Sequence, residues 1–192
     1  VSEAHSHYDE LIEAIEAEGL GVIAAISTFM DNRQACRAYF LEGSFEDTTS
    51  PENSLKGLKS RVSQIVSLTG FSFVGGPVMN DTEASIEFLK KMNVPFRSIV
   101  SLDLQTIENW QESHIGLNPV QTAMQVAIPE LDGATESRLY GGVRQQNRQP
   151  EALPDRCSLV ARRLARWNRL QITKRHDLRL ALLVFCFPPN KG

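Results

Sequence analysis

Short apolar runs that lack polar alternation, set between segments of helical period, constrain this chain more than any other feature. A strand with one wet face alternates apolar and polar residues. A strand covered on both faces has no wet side to mark and reads as a continuous run. Such runs fall at 20–26, 62–68, 96–102 and 178–187, with a fifth at 138–143 that Gly141 and Gly142 weaken. Their alternation with helices predicts an α/β fold, a Rossmann-like, mostly parallel sheet of about five strands with helices on both faces. The last run is the strongest and the chain stops soon after it, so the sheet is expected to be truncated at its C-terminal end.

The helices are marked by their ends. Tyr8, Leu11, Ile12 and Ile15 recur at helical spacing behind Ser6 or Asp9, and Gly19 supplies the left-handed residue that stops the helix. Asp31 or Asn32 heads a second helix through Cys36, Tyr39 and Phe40. Asp81 or Thr82 heads a third, whose buried stripe is Ala84, Ile86, Phe88, Leu89 and Met92. A short helix is expected over 106–112 with Ile107 and Trp110 inward. Asn118-Pro119 pairs a cap with a first-turn proline, for a helix to about Ala127. The longest helix is predicted over 155–172, with Val160, Leu164, Trp167 and Leu170 on successive turns. Segments 43–60 and 145–154 read as polar, solvent-facing loops.

Composition removes several functions. The 192 residues fit a single α/β domain spanning 1–192, and the net charge of -3 without a long basic run argues against nucleic acid. The basic stretch 162–175 interleaves Leu164, Trp167, Leu170 and Ile172, the pattern of an amphipathic helix with one wet face. Cys36, Cys157 and Cys186 are odd in number and far apart, which predicts reduced thiols in an intracellular compartment. The run 178–187 contains Arg179 and is too short to span a bilayer, and the acidic, amphipathic start does not read as a signal peptide.

The candidate chemistry lies in loops. Thr69 to Asn80 follows an expected strand and precedes a capped helix, where α/β sheets place ligand-contacting loops. Gly70, Gly75 and Gly76 permit close backbone approach, and Phe71 and Phe73 are of a size to wall a flat apolar ligand. The spacing is neither G-x-G-x-x-G nor a P-loop, so nucleotide binding is not supported. A loop of this kind also serves simply to turn the chain, and both readings stand. Glu130 and Asp132 flank Leu131; such carboxylates hold Mg²⁺ through water or act as acid and base, while Asp132-Gly133 is equally a turn dipeptide. Thr69, Gly70, Phe71, Phe73, Gly75, Gly76, Asn80 and Glu130 are therefore the candidate substrate-binding residues. His5 and His7 precede a helix at a frayed end, and neither His114 nor His176 has a nameable second ligand, so no metal site is expected. No nucleophile elbow is present, and no catalytic residue is assigned. Phe187-Pro188-Pro189-Asn190-Lys191-Gly192 opens a further loop, expected on the same sheet edge as Thr69 to Asn80.

In combination, 67–77, Asn80-Asp81, Leu104-Gln105-Thr106 followed by Trp110, 116–120, 126–134 and 187–192 resemble the large, porphyrin-binding H subunit of magnesium chelatase and its relative, the cobaltochelatase large subunit. The Glu130-Leu131-Asp132 wording and Ala134 lie closer to the magnesium branch, especially its bacteriochlorophyll form. The departures are a diverged 136–154 and Cys186 in place of a small polar residue. The resemblance implies a fragment of a much longer subunit of a ligase that forms nitrogen–metal bonds. Its substrates would be protoporphyrin IX and Mg²⁺, with ATP used by a partner motor subunit, in the photosynthetic pathway to chlorophyll or bacteriochlorophyll. It implies as partners the remainder of the large subunit, the ATPase and a companion subunit, in the bacterial cytoplasm or, from a plant or alga, the plastid. The fragment alone is expected to be inactive, to support the porphyrin site and to bind no cofactor of its own. The alternatives are a cobaltochelatase segment, or a free-standing α/β module that uses the Gly75-Gly76 loop for a small anionic ligand.

Overall fold

The computed structural model describes residues 6–27, 30–42, 59–77 and 79–172. In chain order these form α1 (Ser6–Ala17), α2 (Arg33–Phe40), β1 (Leu41–Glu42), β2 (Lys59–Ser60), β3 (Ile65–Ser67), α3 (Thr82–Met92), β4 (Phe96–Leu102) and α4 (Ile107–Glu112). There follow α5 (Pro119–Thr122), a π-helical segment (Ala123–Ala127), α6 (Ile128–Leu131), β5 (Arg138–Val143), β6 (Pro150–Ala152) and α7 (Pro154–Ile172).

The central sheet has the order β3-β4-β5-β6, with β3, β4 and β5 parallel and β6 antiparallel to β5. β1 and β2 pair separately as an antiparallel ribbon. Every residue of β4 is buried, so it is the middle of the fold and has no polar face to reveal. Its two faces feed two cores. One contains Phe96 with Phe73, Val74, Phe88, Leu89 and Met92 from the glycine loop and α3. The other contains Ile99 with Leu11 and Ile15 of α1, Tyr140 of β5, and Val160, Ala161 and Leu164 of α7. Helices thus lie on both faces, as predicted.

The sheet departs from a five-stranded parallel one. Residues 20–26 enter no ladder: Leu20 and Val22 pack on the α1–α7 core while Ile26 is 90% exposed. The polar segment 145–154 contains β6, an antiparallel edge strand of three residues that carries no apolar pattern. The expected strand at 178–187 and the loop after it lie outside the described residues, as does most of 43–60, of which Lys59 and Ser60 form β2.

Gly141 and Gly142, which weakened β5 in the sequence, are there because its neighbours crowd it. A Cβ on Gly142 would stand 2.3 Å from Leu102 Cβ, and one on Gly141 2.4 Å from the Glu151 carbonyl oxygen. The register shifts by a bulge between Val100 and Ser101 beside them. Trp167, predicted to be core, is 36% exposed because the inner turns of α7 are filled by Cys157, Val160, Ala161, Leu164 and Ala165.

Candidate functional site

The carboxyl ends of β3 and β4 bring together three stretches that are distant in sequence. β3 ends at Ser67, and the chain turns through Thr69 to Gly70, whose φ of +70° is in the left-handed region. A Cβ on Gly70 would stand 3.1–3.4 Å from the side chain of Gln125, so glycine permits this approach. Gln125 Nε2 donates to Asp103 Oδ2 at 3.0 Å, and Asp103 is the residue directly after β4. Gln121 Nε2 donates both to Gln125 Oε1 at 3.1 Å and to the Ser101 carbonyl at 3.0 Å, while Gln121 Oε1 accepts from the Leu104 N–H.

The local sequence explains why both glutamines point inward. Asn118 caps α5 by accepting from the Gln121 N–H at 2.8 Å, with Pro119 in the first turn. Further along, Pro129 has no N–H to return to the Gln125 carbonyl, and the helix widens there: the Ile128 N–H pairs with the Ala123 carbonyl, five residues back. Gln121 and Gln125 are buried and satisfied, forming a fixed amide rail behind Asp103.

Asp103 as a residue is open to solvent, yet its carboxyl group is crowded. Burial raises its pKa above the ordinary carboxylate value, and hydrogen bonds from Ser101 and Gln125 and the nearness of His7 only partly offset this. Burial, then the charge of Asp103, likewise raises the Tyr8 phenol. Tyr140, fully buried in β5 and stacked on His7 with centroids 6.1 Å apart, is pushed well up by burial. The arrangement can present a carboxyl oxygen, an aromatic hydroxyl and the Thr69 hydroxyl to a ligand at the rim. Among the described residues no three His, Cys, Asp or Glu side chains gather as a metal site, and no helix is long and apolar enough to cross a membrane. Burial pushes the Cys36 thiol up to about 12 and raises that of Cys157, which keeps both unreactive.

The other sequence candidates fall into a second group. Beyond Gly70 the loop dips beneath the sheet face, so that Phe73 is 2% exposed and packs edge-on to Phe96 and against Phe88. Phe73 is thus a core residue; Phe71 is half-buried. Gly75 donates to the Met30 carbonyl at 2.7 Å, and a Cβ there would fall 1.1 Å from the Met79 carbonyl oxygen. Gly76 is buried with φ +58°, and Asn80 is exposed with Oδ1 2.7 Å from Ser72 Oγ. Glu130 points outward on α6.

Asp132, read from sequence as a turn former or one of a carboxylate pair, is 1% exposed and is the pin of this loop. Its Oδ2 accepts from the Phe73 N–H at 2.7 Å and the Ser72 hydroxyl at 2.8 Å. Sequence reasoning missed Asp103, Gln121 and Gln125 altogether. The one available signal was that Asp103 directly follows the strand at 96–102, where ligand-site residues concentrate.

Three parallel strands, one antiparallel edge strand and the helices packed on them make this a mixed α/β segment with a polar cluster at its strand ends. The CobN/Magnesium Chelatase family model matches residues 1–192, and the chain belongs to that family. It is 33% identical to the magnesium-chelatase H subunit of Cereibacter sphaeroides and 36% identical to the chloroplastic magnesium-chelatase ChlH subunit of Oryza sativa subsp. indica, each over 97% of its length. The fold matches the catalytic subunit of cobaltochelatase from Mycobacterium tuberculosis with a TM-score of 0.61 at 20% identity, covering 92% of this chain and 14% of that one. The chain spans 16% and 12% of the length of the two magnesium-chelatase relatives.

Proposed function

We propose that this chain is a segment of the porphyrin-binding large subunit of a magnesium chelatase, and that its carboxyl-rim cluster faces the macrocycle during ATP-dependent Mg²⁺ insertion for chlorophyll or bacteriochlorophyll synthesis. The observation that carries the reading is the meeting of Gly70, Gln125 and Asp103 at one rim of the sheet. Thr69 and Gly70 shape the edge, Phe71 adds an apolar surface, and Asp103 and Tyr8 offer polar contacts to pyrrole N–H groups or ring substituents. Phe73, Gly75, Gly76 and Asn80 act one step back by fixing the loop. Glu130 is a peripheral contact. Metal insertion belongs to the complete assembly, with its ATPase and companion subunits, in a bacterial cytoplasm or a plastid. Identities of 33% and 36% to magnesium-chelatase subunits support the magnesium branch over the cobalt one.

The test is titration of the chain with protoporphyrin IX. Trp110 lies on α4, just beyond β4 at the same rim, whereas Trp167 lies on the far end of α7 against Arg97 at the start of β4. Saturable quenching is expected in Trp167→Phe, which keeps Trp110, and is expected to be far weaker in Trp110→Phe. Asp103→Asn and Thr69→Ala should weaken the affinity. Absence of saturable quenching would remove the direct role and leave a scaffold.

A further inference from the structure

We infer that the outer face of the helix running through α5, the π segment and α6 is an intrasubunit docking surface, which another part of the same large subunit covers. This rests on membership of the family and not on the macrocycle reading.

The helix is polar inside and apolar outside. Gln121 and Gln125 face inward, 0% and 5% exposed, and turn their amides to Ser101, Asp103 and Leu104. Val120, Ala123, Ala127 and Leu131 recur at three- and four-residue spacing on the opposite side and are all exposed, Val120 and Leu131 to 60% each. A helix whose final environment is water has the reverse arrangement.

The same surface is poor in charge, with Glu130 of α6 the one charged residue between Pro119 and Leu131. From Ser113 to Pro129 the chain contains no Asp, Glu, Lys or Arg. The equally uncharged stretch 62–77 is half-buried or buried except at Ser63 and Thr69, whereas 113–129 leaves His114, Ile115, Pro119, Val120, Thr122, Ala123 and Ala127 outside. Ile115 is 77% exposed and Leu104 54%. Gln105 clamps the two loops that carry them, donating to the Gly116 carbonyl at 3.2 Å and accepting from the Asn118 N–H at 2.6 Å. Depletion of charge together with exposed aliphatic side chains is the composition of an interface core. Small residues at 123 and 127 allow close approach of a second element.

The occupant is set by the length of the relatives. This chain covers 16% of the Cereibacter sphaeroides relative, so a counterpart of this face there has more than five times its own chain length as neighbours. An uncharged, aliphatic surface of that remainder fits this face; a strongly acidic or basic partner does not.

The test compares the chain with a complete large subunit. Ala123→Cys is introduced, in a Cys186→Ser background, into the isolated chain and into the Cereibacter sphaeroides magnesium-chelatase relative carrying this chain in place of its matched region. Maleimide labelling of Cys at 123 should be at least about tenfold slower in the complete protein, while Lys90→Cys, on the charged outer side of α3, labels at similar rates in both. Ala127→Arg should leave the melting temperature of the isolated chain within about a degree and lower that of the complete protein by several degrees. If the chimera does not fold, the same pair of substitutions is made at the aligned positions of the native relative. Equal labelling in both contexts overturns the proposal. So does labelling of the isolated chain that slows as its concentration rises, which assigns the face to a second copy. A failed porphyrin titration with a protected position 123 sinks the macrocycle reading and leaves this one standing.

Discussion

The Asp132 carboxylate accepts the Phe73 backbone N–H at 2.7 Å across 59 positions of sequence. That bond ties the glycine loop to the end of α6, and the Ser72 hydroxyl, 2.8 Å from the same oxygen, reinforces it. In Asp132→Ala a buried N–H loses its acceptor, and a charge-assisted bond in a dry site disappears. The expected loss is about 2–3 kcal/mol of stability, and roughly 5–10 °C of melting temperature for a domain of this size. Asp132→Asn retains an oxygen acceptor and should cost less than half as much. Urea denaturation measures both; a loss below about 0.5 kcal/mol in Asp132→Ala would remove the carboxylate from this role.

Two glycines of similar backbone conformation should respond very differently to the same methyl group. Gly75 at φ +99° has no room, since a Cβ would overlap the Met79 carbonyl oxygen. Gly133 at φ +98° faces open space. Gly133→Ala therefore bears only the left-handed penalty, about 1–2 kcal/mol, and should remain folded. Gly75→Ala must displace the 75–79 turn and with it the Met79 N–H bond to the Gly75 carbonyl. It should lose the cooperative thermal transition or melt at least twice as far below wild type as Gly133→Ala.

These two loops show where sequence reading reaches and where it stops. Strands β4 and β5 and the caps at Asp81 and Asn118 were legible because local chemistry fixes them: a continuous buried run, and short polar side chains placed to accept N–H groups three residues ahead. The glycine loop was legible as a special backbone, but its direction was not. Nothing local in Phe73 distinguishes a ligand wall from a core residue, because the partners that decide, Phe88 and Phe96, belong to other elements. Asp132 carries one turn signal whether it points into water or into the core. β6 was hidden because an edge strand of three residues takes its form from its neighbour β5 and needs no pattern of its own. The amide rail was hidden for a related reason: inward glutamines contradict the usual polarity of a helix, and they are stable here only because Ser101, Asp103 and Leu104 answer them.

Asp103 should give the stability profile a slope opposite to that of an ordinary paired carboxylate. Its folded pKa is raised, chiefly by burial, so the folded state holds this proton more tightly than the unfolded chain. The stabilising contribution is complete below the unfolded value near 3.8 and is lost as pH rises through the window up to the raised folded value. Asp103→Asn keeps an acceptor for Gln125 Nε2 and cannot ionise. It should match wild type in acid and exceed it at neutral pH, with the difference opening across that window. Urea midpoints from pH 4 to 8 read this; a constant difference over the range would mean that the carboxyl group titrates normally.

At the opposite rim Glu136 links α7 to the start of β4 through charge. Its carboxylate meets Arg163, accepts the Trp167 indole N–H at 2.9 Å and stands 3.9 Å from Arg97, a residue of β4 that is 2% exposed and whose guanidinium also lies over the Trp167 ring. Burial alone would raise the Glu136 pKa, but Trp167, Arg163 and Arg97 outweigh it and hold the carboxyl below its usual value. For a depressed carboxylate the stabilising contribution is present above the unfolded pKa and is lost as pH falls through the folded one. Glu136→Gln retains an acceptor for the indole but leaves two arginines, one of them buried, without a counter-charge. Partial exposure of Glu136 tempers the effect, to about 1–2 kcal/mol at neutral pH. The deficit should shrink as pH falls through the lowered folded value and the wild-type carboxyl protonates, and should be smaller in 1 M salt, where the more open Arg163 contact is screened. Loosening of the contact should also move Trp167 emission to the red in a Trp110→Phe background. An unchanged emission maximum together with a pH-independent deficit would show that shape rather than charge holds α7 to the start of β4.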